Sequence, residues 1–171
     1  MEYKSVLKKV PIEDVWMYHE FSFGLNHRRG SMFYTILKAD VERNGMINPL
    51  LCIEEVRDVK KMCEDEKFNR NYQQHLKDKK DGRPIRDWVS GDGAPIQLVG
   101  GTEPIHDKNK HPDRHNKMLD AGGNNRFLVA LELGYKEVEI RIIPDIEPAT
   151  IHYWQTKGLE PTNVDHILGL Y

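Results

Sequence analysis

The residues best suited to chemistry form the run Gly122-Gly123-Asn124-Asn125-Arg126, which leads into an apolar stretch ending at Gly134. Paired glycines adopt backbone conformations closed to other residues and let a ligand approach the main chain. Asn is a good N-cap, so Asn124 or Asn125 is expected to start the helix that the apolar stretch predicts. Gly134 is placed to end that helix.

A helix start of this kind is suited to anions. Its first N–H groups have no partner within the helix, its dipole is positive there, and Arg126 adds a fork-shaped cation on the first turn. The run therefore predicts a phosphate-type site. The common alternative for two glycines before a helix is a tight turn with no ligand.

Composition limits the classes of function. The chain has 171 residues, a formal net charge of −2 and a sequence pI of about 6.4, which lacks the basic excess of a dedicated duplex-DNA binder. Cys52 and Cys63 have no metal-like spacing and predict free thiols in a reducing compartment. The sequence has neither a long apolar run nor a secretory start, so we expect a cytoplasmic protein with no membrane partner.

The patterns on either side predict an α+β domain. Before the glycine run they indicate a strand over 5–10 stopped by Pro11, a helical turn over 11–15, a loop over 16–30, a helix from the Ser31 cap to about Asn44, and a buried strand over 46–53. In that helix Asp40 is assigned to the polar face, opposite Leu37 and Val41. After the glycine run they indicate a strand over 137–143 and short helices over 147–156 and 162–168.

Residues 54–117 form a polar insertion in this scheme. It contains helical patterns over 54–62 and 65–80, strand candidates at 85–89 and 96–99, and a loop over 100–116 rich in His, Asp and Lys. His106, His111 and His115 in that loop have a spacing that could bind a transition metal. Pro112 interrupts the only helical pair, and loops of this composition are common, so an ordinary polar loop is the alternative.

Three motifs, occurring in order, resemble the ParB/sulfiredoxin superfamily. The first is Val10-Pro-Ile-Glu-Asp-Val15, and the second runs from Ile36 to Leu51 through Asn44-Gly-Met-Ile-Asn-Pro49. The third joins the glycine run to Ala130-Leu-Glu-Leu-Gly-Tyr-Lys-Glu-Val138. The resemblance implies a single domain over 1–171, with a small mixed sheet and flanking helices. Its core would be 1–53 and 118–145, interrupted by the insertion and followed by C-terminal helices over 146–171.

The resemblance also implies a function. A nucleotide would place its phosphates on the helix that begins near Gly123, with Arg126 as the phosphate contact. The loop after the first strand would close over the ligand and bring Glu20, Arg28 and Arg29 to it. Compact phage-encoded members of the superfamily are linked to DNA-base modification.

Departures from the known members narrow this expectation. Sulfiredoxins have Cys and His where this chain has Asn124 and Asn125, and without the thiol their chemistry is excluded. Chromosome-partition ParB proteins have Glu-Arg there and a following helix-turn-helix domain. Only residues 144–171 follow the last predicted strand, so a centromere clamp is not expected. Free-serine kinases of the superfamily have Asp-Gly-His-His-Arg and a glutamate in the first loop, and of these Arg126 and, in about the right place, Glu20 are present.

The first functional hypothesis is an enzyme that cleaves or transfers a phosphoryl group from a nucleoside triphosphate, ATP or CTP, with Mg²⁺. Gly122, Gly123, Asn124 and Asn125 would cradle the phosphates and Arg126 would neutralise their charge. Glu20 would act as general base or Mg²⁺ carboxylate, and Asp120 is a second candidate for the metal. The structural alternatives are a solvent-exposed carboxylate for Glu20 and a helix-entry acid for Asp120. This hypothesis predicts that Arg126→Ala and Glu20→Gln abolish turnover and leave the fold intact.

The second hypothesis is a non-catalytic module that binds a nucleotide or DNA, a class that includes ParB-like nucleases and regulatory proteins. Asn in place of catalytic His, Arg or Glu is typical of a copy that has lost activity. Basic residues of the insertion could line a groove for a nucleic-acid strand together with Trp88, and their alternative is a solvated surface. They are Lys77, Lys79, Lys80, Arg83, Arg86, Lys108, Lys110, Arg114 and Lys117.

Overall fold

A five-stranded mixed sheet forms the centre of the protein in the computed structural model, which describes residues 4–17, 31–83, 90–99, 123–145, 147–149, 152 and 162–168. The strands are β1 (Val6–Pro11), β2 (Val15–Trp16), β3 (Leu50–Glu54), β4 (Ile96–Leu98) and β5 (Glu137–Ile143), in the spatial order β1-β5-β3-β4-β2. β1 pairs with β5 and β3 with β4 in antiparallel fashion, whereas β3 with β5 and β2 with β4 are parallel. The predicted α+β class is confirmed at this level.

Five α-helices and a 3₁₀ turn at Ile12–Asp14, within the helical turn predicted over 11–15, complete the elements whose bounds the structure describes. The α-helices are α1 (Met32–Asn44), α2 (Val59–Met62), α3 (Glu66–Lys80), α4 (Gly123–Glu132) and α5 (Asn163–Leu168). The Ser31 side chain caps α1 by accepting from the Tyr34 N–H at 3.1 Å, as the sequence predicted. Gly45 and Gly134 follow α1 and α4 with φ of 74° and 80°, the left-handed region in which glycine avoids a steric cost.

The main core lies between the sheet and helices α1, α4 and α5. Alternate residues of β3 and β5 face it because successive strand side chains point to opposite faces. Its members include Leu37 and Val41 of α1, Phe127 and Leu128 of α4, Val164 and Ile167 of α5, and Leu50, Cys52, Ile140 and Ile142 of the sheet. A smaller cluster of Ile53, Val99, Ile143 and Ala149 lies on the opposite face. Because α4 itself packs on the sheet, the position of its first turn is fixed by the core.

Two strand predictions need correction. The strand predicted over 46–53 begins only at Leu50, because Asn48 has φ of 63° and no extended strand passes through that conformation. β2, in a region assigned to a loop from Trp16 onward, was missed because two residues carry no readable period. β4 comes from the predicted insertion and lies between β3 and β2, so this segment contributes to the central sheet. The strand candidate at 85–89 lies outside the described residues.

Candidate functional site

The backbone of α4 begins at Gly123, so both Asn124 and Asn125 lie within its first turn. The prediction that one of them caps the helix was wrong. The side chain of Asn125 is buried, as are those of all the following residues to Ala130. The N–H groups of this first turn have no carbonyl partner within the helix. That they bind an anion stays a prediction.

Arg126 is buried on that first turn, with only 3% of its surface exposed. Its Nη1 atom donates to the carbonyl oxygens of Ile47 at 2.9 Å and Asn48 at 2.8 Å. These carbonyls belong to the 45–48 loop (residues 45–48), which joins α1 to the approach of β3. Arg126 therefore ties the start of α4 to this loop, a role that the sequence did not indicate. Its direct contact with phosphate stays a prediction.

The charge of Arg126 lies where a cation is otherwise unfavourable. A guanidinium stays protonated in proteins, and the N-terminal end of a helix is the positive end of its dipole. The two positive potentials add, and an anion at this end lowers the energy of both. The positive charge of Arg126 therefore adds to the positive end of the α4 dipole.

The neighbouring thiol does not supply a nucleophile. Cys52 is completely buried beneath α4, and its burial raises the pKa of the thiol far above the ordinary value. The charge of Arg126 opposes that rise only in part. A thiol held protonated is a weak nucleophile, so Cys52 serves as a core residue.

Asn125 contributes a buried acceptor to the same turn. It is 8% exposed, and its Oδ1 atom accepts no hydrogen bond from any described residue. Leaving such an atom without a donor costs about 1–3 kcal/mol. A donor from outside the described residues, whether from the chain or a ligand, would remove that cost.

A polar cluster lies on the other side of the 45–48 loop, between α1 and α5. We call it the Asp40 network, and it comprises Asp40, Asn44, Asn163 and His166. Asn163 Nδ2 donates to Asp40 Oδ2 at 2.8 Å, and Asn44 Nδ2 donates to Asp40 Oδ1 at 2.8 Å. His166 Nδ1 lies 2.6 Å from Asp40 Oδ1 and must carry the proton, because a carboxylate only accepts.

Asp40 was predicted on the solvent face of α1 and is instead 8% exposed. The physical reason is the set of three donors that α1 and α5 direct at it, since a buried charge is tolerated when it is hydrogen-bonded. Burial by itself would raise the pKa of Asp40, but the hydrogen bonds from Asn163, Asn44 and His166 hold it below the ordinary value of 3.8. The carboxylate is therefore ionised at neutral pH.

This pKa shift predicts an acid-sensitive contribution to stability. A carboxyl group whose folded pKa is lowered stabilises the fold above its unfolded pKa, and the contribution is lost as pH falls through the folded pKa. We expect Asp40→Asn to lower the urea midpoint at pH 7 and the deficit against wild type to shrink below pH 3.8. The control is the same change at Asp81, an exposed residue just after α3. A deficit that stays constant down to pH 2 would contradict the assignment.

Several predicted site residues lie outside the described part of the chain, and their places in the site stay predictions. They are Glu20, Arg28, Arg29, Asp120, Gly122 and the histidines His106, His111 and His115. Within the described ranges, no three His, Cys, Asp or Glu side chains lie together as a metal-binding group. No helix of the described ranges is long and apolar enough to cross a membrane.

Among the predicted basic residues, Lys77, Lys79 and Lys80 lie exposed in the last turn of α3, and Arg83 follows it. α3 buries only Phe68. The rings of Phe68 and Tyr72 stack with centroids 6.2 Å apart, and those of Tyr72 and His75 lie 6.5 Å apart. Three lysines at a helix C-terminus also complement its dipole, which is their structural explanation.

Comparisons with known proteins identified no related protein. A scan against protein-family models found no match, and searches of curated proteins and of solved structures found none either. The function is therefore argued from the residues around the start of α4.

Proposed function

We propose that the chain is a ParB/sulfiredoxin-like enzyme that binds a nucleoside triphosphate with its phosphates at the start of α4. The observation that supports this most is the buried guanidinium of Arg126 on the first turn of that helix. A permanent cation added to the positive end of a helix dipole favours a bound anion. A polyphosphate supplies several negative oxygens for the first-turn N–H groups and for Arg126.

The reaction that fits this site is transfer of the terminal phosphoryl group to water or to another hydroxyl. The attacking oxygen forms a bond to the terminal phosphorus while the bond to the bridging oxygen breaks, and the nucleoside diphosphate leaves. The proton of the attacking oxygen goes to Glu20, the proposed general base. Mg²⁺ would neutralise phosphate charge, with Asp120 as its candidate carboxylate. Modification of DNA bases is a use of this chemistry consistent with the superfamily resemblance.

A thermal-shift panel tests the binding step. ATP, CTP, GTP and ADP would each be added with and without Mg²⁺ to wild type, Arg126→Lys and the matched control Arg141→Lys. Arg141 lies on β5, where it donates to the Ser5 hydroxyl, away from α4. A ligand at 100 times its Kd stabilises the folded state by about 2.7 kcal/mol, which for this chain length is roughly 5–10 °C.

We expect one nucleotide to give this shift in wild type and in Arg141→Lys, and a much smaller shift in Arg126→Lys. Lysine keeps the charge but loses the fork that binds two oxygens together. No shift with any nucleotide at millimolar concentration, or an equal shift in both variants, would refute the proposed site. Turnover assays with the identified nucleotide would then compare wild type with Glu20→Gln, which should bind and not react.

Helix α3 favours a second function, the binding of a nucleic-acid strand. Its last turn presents three exposed lysines, and the rings of Tyr72 and His75 lie on the preceding turns of the same helix, while Phe68 is buried. Basic residues with aromatic rings are typical of strand-binding surfaces. Fluorescence anisotropy with a labelled single strand at several salt concentrations tests this. Each phosphate contact contributes about 0.7 to the salt slope, so changing Lys77, Lys79 and Lys80 to Gln should lower it by roughly 2. The control replaces Lys8 and Lys9 of β1. A slope unchanged in the α3 variant would exclude this surface.

A further inference from the structure

The 45–48 loop is held from two sides by side chains of different helices. On one side Arg126 of α4 donates to the carbonyls of Ile47 and Asn48. On the other side Asn163 of α5 accepts from the Ile47 N–H at 2.8 Å and donates to the Gly45 carbonyl at 2.9 Å. The loop therefore links α5 to the first turn of α4 through its own peptide groups.

Asn163 is suited to such a link because it is completely buried and its side-chain amide makes three hydrogen bonds, two donated and one accepted. Its oxygen faces the Ile47 N–H, while its nitrogen serves both Gly45 and Asp40. A flipped amide would point its NH₂ group at the Ile47 N–H and its oxygen at the Asp40 carboxylate. Both contacts would be repulsive, so the charge of Asp40 selects the orientation that holds the loop.

The loop turns sharply at Asn48. Asn48 has φ of 63°, in the left-handed region that asparagine adopts more readily than most residues with a side chain. The carbonyls of residues 47 and 48 both reach Arg126 in this conformation. A different conformation of Asn48 would turn these peptide groups and release the guanidinium.

We infer that Asn163, oriented by Asp40, is a positioning residue that keeps the guanidinium of Arg126 in place through the 45–48 loop. The inference rests on the proposed function, because the group being positioned is the proposed phosphate contact. His166 extends the link to the surface, since its side chain is 45% exposed and its Nδ1 atom reaches Asp40.

The experiment compares Asp40→Asn with Tyr34→Phe. Tyr34 also joins α1 to α4, but its hydroxyl donates to Glu132 at the C-terminal end of α4, away from the first turn. Solvent exchange of the Arg126 guanidinium protons would be measured by NMR in each variant. The guanidinium resonance of Arg126 is identified by its absence from the spectrum of Arg126→Lys. The exchange rates are corrected for differences in global stability between the variants. If Asp40→Asn does not fold, His166→Gln replaces it, because this change removes one hydrogen bond to Asp40 from a partly exposed side chain.

We expect Asp40→Asn to accelerate this exchange about tenfold, the size of a typical coupling between sites, and Tyr34→Phe to leave it unchanged. His166→Gln should give a smaller increase. The affinity for the nucleotide found in the thermal-shift panel should fall in parallel with the exchange protection. Unchanged exchange in folded Asp40→Asn and His166→Gln would overturn the inference. If Asp40→Asn accelerates the exchange as expected but wild type binds no nucleotide, the proposed function is refuted and the positioning role of Asn163 is not.

Discussion

Replacement of Arg126 by methionine is expected to destabilise the protein by about 1–3 kcal/mol, the cost of leaving a buried hydrogen-bond acceptor unsatisfied. The carbonyls of Ile47 and Asn48 would lose their donor within the protein, and methionine restores packing volume but no hydrogen bond. The same change should also remove nucleotide binding. Urea denaturation of Arg126→Met checks the first effect, with Arg141→Met as the control.

This expectation revises the one made from sequence, in which Arg126→Ala would abolish activity and leave the fold intact. Because Arg126 also ties α4 to the 45–48 loop, loss of activity in an alanine variant would mix a folding cost with a binding cost. Arg126→Lys separates the two, since it retains the charge and can still donate to a carbonyl. An Arg126→Met variant as stable as Arg141→Met would show that the loop contacts contribute little.

Asn163→Ala is expected to cost about 2–4 kcal/mol, since three buried hydrogen bonds are lost and their partners are left without water. Those partners are the Ile47 N–H, the Gly45 carbonyl and the Asp40 carboxylate. α5 should detach first, because its described polar contacts with α1 run through Asn163 and His166.

Urea denaturation of Asn163→Ala measures that cost, and native-state hydrogen exchange of the α5 amides locates it. Asn44→Ala is the matched control, because Asn44 makes a single side-chain hydrogen bond to the same carboxylate. We expect Asn44→Ala to cost about 1 kcal/mol. Equal costs for the two variants would contradict the central place given to Asn163.

The sequence predicted those elements whose boundaries depend on residues close to them in the chain. The Ser31 cap and the Asn44-Gly45 end marked α1, Gly134 marked the end of α4, and strict alternation marked β5 at its observed bounds. These features depend on caps, left-handed glycines and side-chain period, all of which act within a few residues. Sequence therefore located the helix that carries the candidate site.

What sequence could not predict depends on contacts far apart in the chain. The buried place of Asp40 is set by Asn163 and His166, more than a hundred residues later. The use of Arg126 as a tie requires the turned carbonyls of Ile47 and Asn48, and nothing in the spacing of the residues shows where a carbonyl points. The sheet order has the same cause, since β1 lies next to β5.

The most direct test of the account is an NMR titration of wild type with ATP and with CTP, each with Mg²⁺, following the backbone amides. We expect the largest shifts on the amides of residues 123–126, the first turn of α4. We also expect inorganic triphosphate to shift the same amides, because the phosphates make the contact. Shifts confined to other elements, or no shift of these amides at saturating ligand, would contradict the placement of phosphate at the start of α4.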